Sequence, residues 1–246
     1  MSRSDAGVGF SIGLDYAWLE QAAALVSLGR QPAEVRGTLH DILSTQLAEG
    51  KDPGTGSRGR AVSVISKMWA EPIGDLVGLR DRAVQLLPQV PPAQHLALHW
   101  GMALASYPFF ASVAESTGRL LKLQGVVVGR EVHRRVAERF GDRPTVVRAT
   151  GVALGNMADW GALAADRAHR KYTSVGRVAL GVDVSVWLIE ALLRAGGTQS
   201  ASMNALLQSP ALFPFGLADV MAAQMADRSE VRVVTLGVNE DAVTLS

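Results

Sequence analysis

The sequence predicts a mainly α-helical protein: helical bundle modules, a winged-helix-like (helix-turn-helix) unit near the middle, and a small C-terminal β-hairpin. Three observations carry this prediction. Apolar residues recur at helical spacing along most of the 246 residues. Between Gly129 and Gly181 a basic stretch, residues 130–140, passes through Gly141-Asp142-Arg143-Pro144 into a second helix-like segment beginning at Thr145; that is the local order of a helix-turn-helix. The final stretch, residues 231–245, alternates and turns in the manner of a hairpin.

Taken in order, residues 14–28 place Leu14, Trp18, Ala22, Leu25 and Val26 at helical spacing, and Gly29 supplies a stop. After Gln31-Pro32 a second helix runs through Leu47 on a stripe of Val35, Leu39, Ile42 and Leu43, and Glu49-Gly50 ends it. Residues 51–60 read as a loop that feeds a helix carrying Val62, Ile65, Met68 and Trp69. Helices follow at residues 73–87 and 93–122, the latter broken at Tyr107-Pro108 because proline disfavours helix in the residue before it. Gly125 closes that region, and Val126-Val127-Val128 reads as a short strand or an apolar lead into the basic helices. In the second of those helices Val146, Val147, Thr150, Ala153 and Leu154 mix core and surface candidates, while Arg143, Arg148 and Asn156 are candidates for a groove or a phosphate. Residues 167–178 are the expected wing, with Trp160 packed beneath it. Residues 184–193 read as a helix with Trp187, Leu188, Ala191 and Leu192 inward, and a helix-loop-helix is expected at residues 200–208 and 217–225. The resulting division is a helical module at 1–90, a basic winged-helix-like module at 91–182 and a C-terminal module at 183–246.

Whole-chain charge conceals the basic segment. The chain has 24 Lys and Arg against 23 Asp and Glu, a net +1, yet residues 130–177 alone carry +5 and the remainder −4. Such segregation is the pattern of one face built to meet phosphate, with a solvated helix surface as the plainer alternative. With 48% hydrophobic residues the chain can bury a sizeable core. The lack of cysteine excludes disulfides, thiolate metal sites and cysteine nucleophiles, and fits a reducing compartment. The first ten residues lack the basic-then-apolar order of a secretion signal, so a cytoplasmic protein is expected. Residues 96–114 are apolar over a length that spans a bilayer, but His99, Ser106, Pro108 and Ser112 favour a buried helix pair, and no membrane contact is expected.

Few motifs point to chemistry. Residues 54–59 match GxGxxG, but a helix rather than a strand precedes them, so dinucleotide binding is not expected. A phosphate-touching loop is the more interesting reading, with Arg58, Arg60 and Lys67 clamping a nucleic-acid backbone beside a helix start. His95 and His99 have the spacing of some zinc ligands, but Leu96 stands where a zinc-protease motif has Glu and no third ligand appears. They read as structural histidines. His133 and His169 sit among arginines, and the five tryptophans fall mostly on apolar faces. No GxxxxGK[ST] loop, GxSxG elbow or Ser/His/Asp set is found, so no enzyme activity, metal or cofactor is expected.

The order of these patterns resembles the BrxA-like proteins of BREX bacteriophage-defence systems. It lies in Gly29-Arg30-Gln31 after an amphipathic start, the Ser/Gly/Arg loop at 55–60, the helical block at 96–114 with Tyr107-Pro108, the basic helix pair, and Phe213-Pro214-Phe215, together spanning most of residues 14–217. The resemblance implies an all-helical, non-catalytic DNA-binding accessory protein working beside a methyltransferase, an ATPase and other phage-defence proteins.

The sequence-based expectation is therefore binding of double-stranded DNA, with Arg134, Arg135, Arg139, Arg143, Arg148, Arg170, Lys171 and Arg177 chiefly on phosphates and Arg148 the best candidate for a base. The competing class is a protein-interaction adaptor that assembles a defence complex and turns the same basic face to an acidic partner surface.

Overall fold

Proline sets where four of the helices begin. Pro32, Pro92, Pro108 and Pro144 are the first residues of α2 (Pro32–Leu43), α5 (Pro92–Ser106), α6 (Pro108–Gln124) and α8 (Pro144–Asp159). A first-turn residue has no intrahelical acceptor for its N–H, so proline loses nothing there and its fixed φ is already helical. α1 (Tyr16–Ser27) starts instead from Asp15, whose carboxylate accepts from the Ala17 N–H at 2.9 Å. The computed structural model describes residues 7–50, 55–219, 231–237 and 240–245. Within these it is mainly helical, adding α3 (Gly56–Met68), α4 (Leu76–Leu86), α7 (Gly129–Phe140), α9 (Val182–Gly196) and α10 (Met203–Leu207) to the helices above.

Three small sheets complete the fold. β1 (Val126–Val128), β2 (Leu163–Asp166) and β3 (Lys171–Ser174) form an antiparallel sheet in the order β1-β3-β2, with Val127 opposite Tyr172 and Ala165 opposite the same residue on the other side. β4 (Val178–Ala179) pairs in parallel with β6 (Phe215–Gly216). β5 (Ser200–Ser202) lies against β8 (Glu240–Leu245), which pairs with β7 (Val231–Gly237) as an antiparallel hairpin.

One hydrophobic cluster runs from Phe10 to Phe215, across the division the sequence suggests at residue 90. α5 is its axis. Trp100 is wholly buried, sits edge-on to Phe110, Phe213 and Phe215 at 5.1, 5.4 and 5.8 Å, and donates its indole N–H to the Ala211 carbonyl at 2.9 Å. Glycine permits two close approaches. A Cβ on Gly101 would stand 2.4 Å from the Trp187 ring, and one on Gly118 only 1.8 Å from the Pro210 carbonyl oxygen. A second, smaller cluster joins Val186, Ile189 and Leu193 of α9 to Met203, Leu206, Val231 and Val243. α9 is thus the wall that both clusters share.

Tyr107-Pro108 does separate α5 from α6, and among the described residues no helix is long and apolar enough to cross a membrane. Of the helix expected at 73–87, the first three residues, Ile73, Gly74 and Asp75, lie outside the helix, which starts at Leu76. The helix expected at 200–208 is shorter, because Ser200–Ser202 is recruited as a strand by β8. Residues 217–219 are not helical, and the rest of the helix expected at 217–225 lies outside the described residues.

Candidate nucleic-acid interface

The basic segment folds as helix, strand, helix, helix and two-stranded hairpin: α6, β1, α7, α8, β2 and β3. α6 ends at Gly125, whose φ of 71° reverses the chain into β1. α7 sinks Val132, Val136 and Phe140 into the core, and Gly141, at φ 82°, turns the chain toward α8. α8 buries Val146, Ala149, Thr150, Ala153, Leu154 and Met157. The Arg143 guanidinium crosses the turn between the helices and donates to the Phe140 carbonyl at 2.9 Å.

The hairpin tip, residues 167–170, is held by Asp166. Its carboxylate lies 2.7 Å from the His169 ring and accepts the His169 N–H at 3.2 Å. These side-chain and backbone hydrogen bonds hold the Asp166 carboxyl below the usual carboxylate range. Arg170 adopts a left-handed φ of 51°, and its carbonyl accepts the N–H of Gly129 at 3.2 Å. This last bond and the pairing of Val128 with Lys171 bring the start of α7, where Arg130 lies, beside the hairpin. Arg134 follows Arg130 on the same stripe of α7, one turn on.

Most described arginines outside this segment are ion-paired, whereas Arg60, Lys67, Lys122 and Arg232 have no carboxylate within ion-pair distance among the described residues. Arg30, Arg36, Arg58, Arg80, Arg82, Arg119 and Arg194 all lie within ion-pair distance of a carboxylate. Among the ten cations of residues 130–177, Arg167 alone does, at 2.8 Å from Asp159. Arg130, Arg134, Arg148, Arg170 and Lys171 are exposed and have no carboxylate partner among the described residues. Arg130 was not among the residues singled out from the sequence. Its four-residue offset from Arg134 was the available signal.

Other predicted positions are placed differently. Arg135 and Arg139 turn toward α6, and Arg139 lies 5.4 Å over the Phe140 ring. Arg177 falls beyond the open end of the hairpin, away from its tip, and lines a groove with Lys122, Ser174 and Phe213. Arg60 is exposed on α3, whose packing is with α1, α2 and α5. Arg58 does not fit a phosphate clamp: it is bound 3.1 Å from Glu49 and donates to the Leu47 carbonyl at 3.3 Å, closing the loop before α3. Lys67 lies 5.0 Å over the Tyr107 ring. Asn156 is a further correction. It is buried, accepts from the Leu14 N–H at 3.0 Å and donates to the Ile12 carbonyl at 3.1 Å, so it fastens the N-terminal segment rather than facing a groove. Trp160 assists by donating to the Leu14 carbonyl at 2.8 Å. His133 lies 3.5 Å from Asp142 but is not aligned for a hydrogen bond, so the contact is one of proximity.

His95 and His99 meet at one carboxylate. The Glu20 side chain lies 3.0 Å from His95 Nδ1 and 2.7 Å from His99 Nε2, while His95 Nε2 faces the Leu87 carbonyl at 3.2 Å. Among the described residues no group of three or more His, Asp or Glu is arranged to hold a metal ion.

No protein-family model matches the chain, and no curated protein or solved structure is significantly similar to it.

Proposed function

We propose that this protein binds double-stranded DNA without catalysing a reaction, through a winged-helix-like unit made of α6, β1, α7, α8 and the β2–β3 hairpin. The observation that carries the reading is the concentration of exposed, carboxylate-free cations in this segment; among the described residues outside 130–177, Arg60, Lys122 and Arg232 share that state, while most other arginines are ion-paired. Unpaired guanidinium and ammonium groups keep their full attraction for a polyanion, and each phosphate they neutralise releases condensed counterions. The strand order β1-β3-β2 supports the winged reading, because it sets the hairpin beside the start of α7. In this reading α8 is the groove-facing helix and the tip at residues 167–170 is the wing.

α8 offers few groups that read bases. Thr145, Val147, Arg148 and Gly151 are exposed, and Arg148 is the residue among them suited to a guanine edge. Contacts to phosphate therefore dominate, and sequence preference is weak. By its resemblance to BrxA-like proteins, the proposed setting is that of a cytoplasmic accessory factor in bacteriophage defence, acting with other components of such a system.

The test is a gel-shift comparison of one duplex with its separated strands and with RNA of the same sequence. Tightest binding to the duplex, weakened at least tenfold by Arg134→Glu with Arg148→Glu while the fold persists, is expected. Equal binding by a folded double variant removes the assigned face. Capture of an acidic protein partner with no shift of naked duplex transfers the same surface to the adaptor reading.

A further inference from the structure

A cleft of about 290 Å³ opens between α6 and α7, apart from the outward stripe of Arg130 and Arg134. It is lined by Ser112, Glu115, Ser116 and Arg119 of α6 and by Arg135, Glu138 and Arg139 of α7. Ser112 and Ser116, and likewise Arg135 and Arg139, are spaced one helical turn, so each helix brings a pair of donors to the cleft beside one carboxylate. Within the lining, Arg119 is occupied by Glu115 at 2.6 Å. The other donors are not occupied: among the described residues Arg135 and Arg139 have no carboxylate partner, Glu138 beside them pairs with neither, and the hydroxyls of Ser112 and Ser116 bond to no protein group. The Nε of Arg135 is moreover buried without an acceptor. Folded proteins seldom leave such a donor unmatched, and a guanidinium least of all.

We propose that this cleft binds a phosphate group, which accepts from Arg135, Arg139 and the two serine hydroxyls. The donor set selects a tetrahedral oxyanion over a carboxylate, since it surrounds the space from two helices where a flat carboxylate engages one guanidinium edge. The space admits a phosphate with its ester substituent. The source is either a strand phosphate of the duplex proposed above or a free phosphate compound, and in the first case the inference rests on that reading.

The full chain is titrated with inorganic phosphate, following its unfolding midpoint against sodium chloride at equal ionic strength. A saturable rise is expected in the wild type and in Arg134→Gln/Arg148→Gln, and its loss in Arg135→Gln/Arg139→Gln. Where that pair of substitutions prevents folding, Ser112→Ala/Ser116→Ala takes its place, with phosphate affinity reduced severalfold. If a strand phosphate fills the cleft, Arg135→Gln/Arg139→Gln lowers the slope of log affinity for duplex against log salt by about 1, and if a free phosphate fills it the slope is unchanged. No rise above the chloride control, or an equal rise in the cleft variants, overturns the proposal. Failure of the duplex reading looks different: no variant shifts duplex, while the phosphate-dependent rise remains.

Discussion

Replacing Asn156 tests whether α8 is fastened to the N-terminal segment or free to read a groove. The side chain is buried and satisfies two backbone groups of the strap, the Leu14 N–H at 3.0 Å and the Ile12 carbonyl at 3.1 Å. Asn156→Ala leaves both without a partner and opens a small void at the edge of the core. A buried donor or acceptor stripped of its partner costs about 1–3 kcal/mol. The two orphans share one strap that relaxes together, so the expected loss is about 2–4 kcal/mol. For a chain of this length that lowers the melting midpoint by roughly 4–16 °C. Asn156→Asp keeps an acceptor for Leu14 but sets a carboxylate against the Ile12 carbonyl, and it should destabilise at least as much as alanine. Urea denaturation of the three proteins measures the loss, and duplex titration well below the lowered midpoint measures binding. Stability lost with unchanged affinity is the expected result. A stability change under about 0.5 kcal/mol with a large fall in affinity would return Asn156 to the groove.

Glu20 gives a pH dependence with a definite sign. Burial opposes its charge, but hydrogen bonds from His99 and His95 more than offset this and hold its pKa at about 2, below the ordinary 4.5. A depressed folded-state pKa contributes stability that is present above 4.5 and lost as pH falls toward 2; Glu20→Gln should flatten the fall in urea midpoint between pH 5 and pH 2, and an unchanged profile would contradict this. Gly118→Ala drives a methyl group to 1.8 Å from the Pro210 carbonyl and should cost roughly 1–3 kcal/mol by the same denaturation assay. Arg170→Gly relieves a left-handed φ of 51° at the hairpin tip and should raise stability by about 0.5–1 kcal/mol while weakening duplex binding through the lost charge. Loss of stability in Arg170→Gly would show that this backbone conformation is not strained.

The parts of this fold that were legible in the sequence are those governed by neighbouring residues. Pro32 and Pro144 marked helix starts, Tyr107-Pro108 divided the long apolar block, and alternation marked the terminal hairpin. What was not legible depends on distant partners. Ser200–Ser202 becomes a strand only because residues 242–244 run beside it, and Val178–Ala179 only because Phe215–Gly216 does. Asn156 sits at a spacing that suits either surface or core, and only the arrival of Ile12 and Leu14 decides between them. Within the candidate site the excess of cations was readable, but its division was not fully read. Consecutive Arg134 and Arg135 are turned about 100° from each other by helix geometry alone, which sends Arg135 with Arg139 to the α6 cleft and leaves Arg134 with Arg130 outside. The pairing of Arg58 with Glu49 lies across a loop whose closure the sequence does not announce.

In the proposed function, the cations left free of carboxylates in the α7–α8 and hairpin segment grip DNA phosphates. The most direct measurement of that grip is duplex affinity across a range of salt concentrations. Neutralisation of phosphates by Arg130, Arg134, Arg148, Arg170 and Lys171 predicts that log affinity falls against log salt with a slope of about −4.5. A slope shallower than about −1, or no duplex binding at low salt, would show that these cations do not grip a duplex.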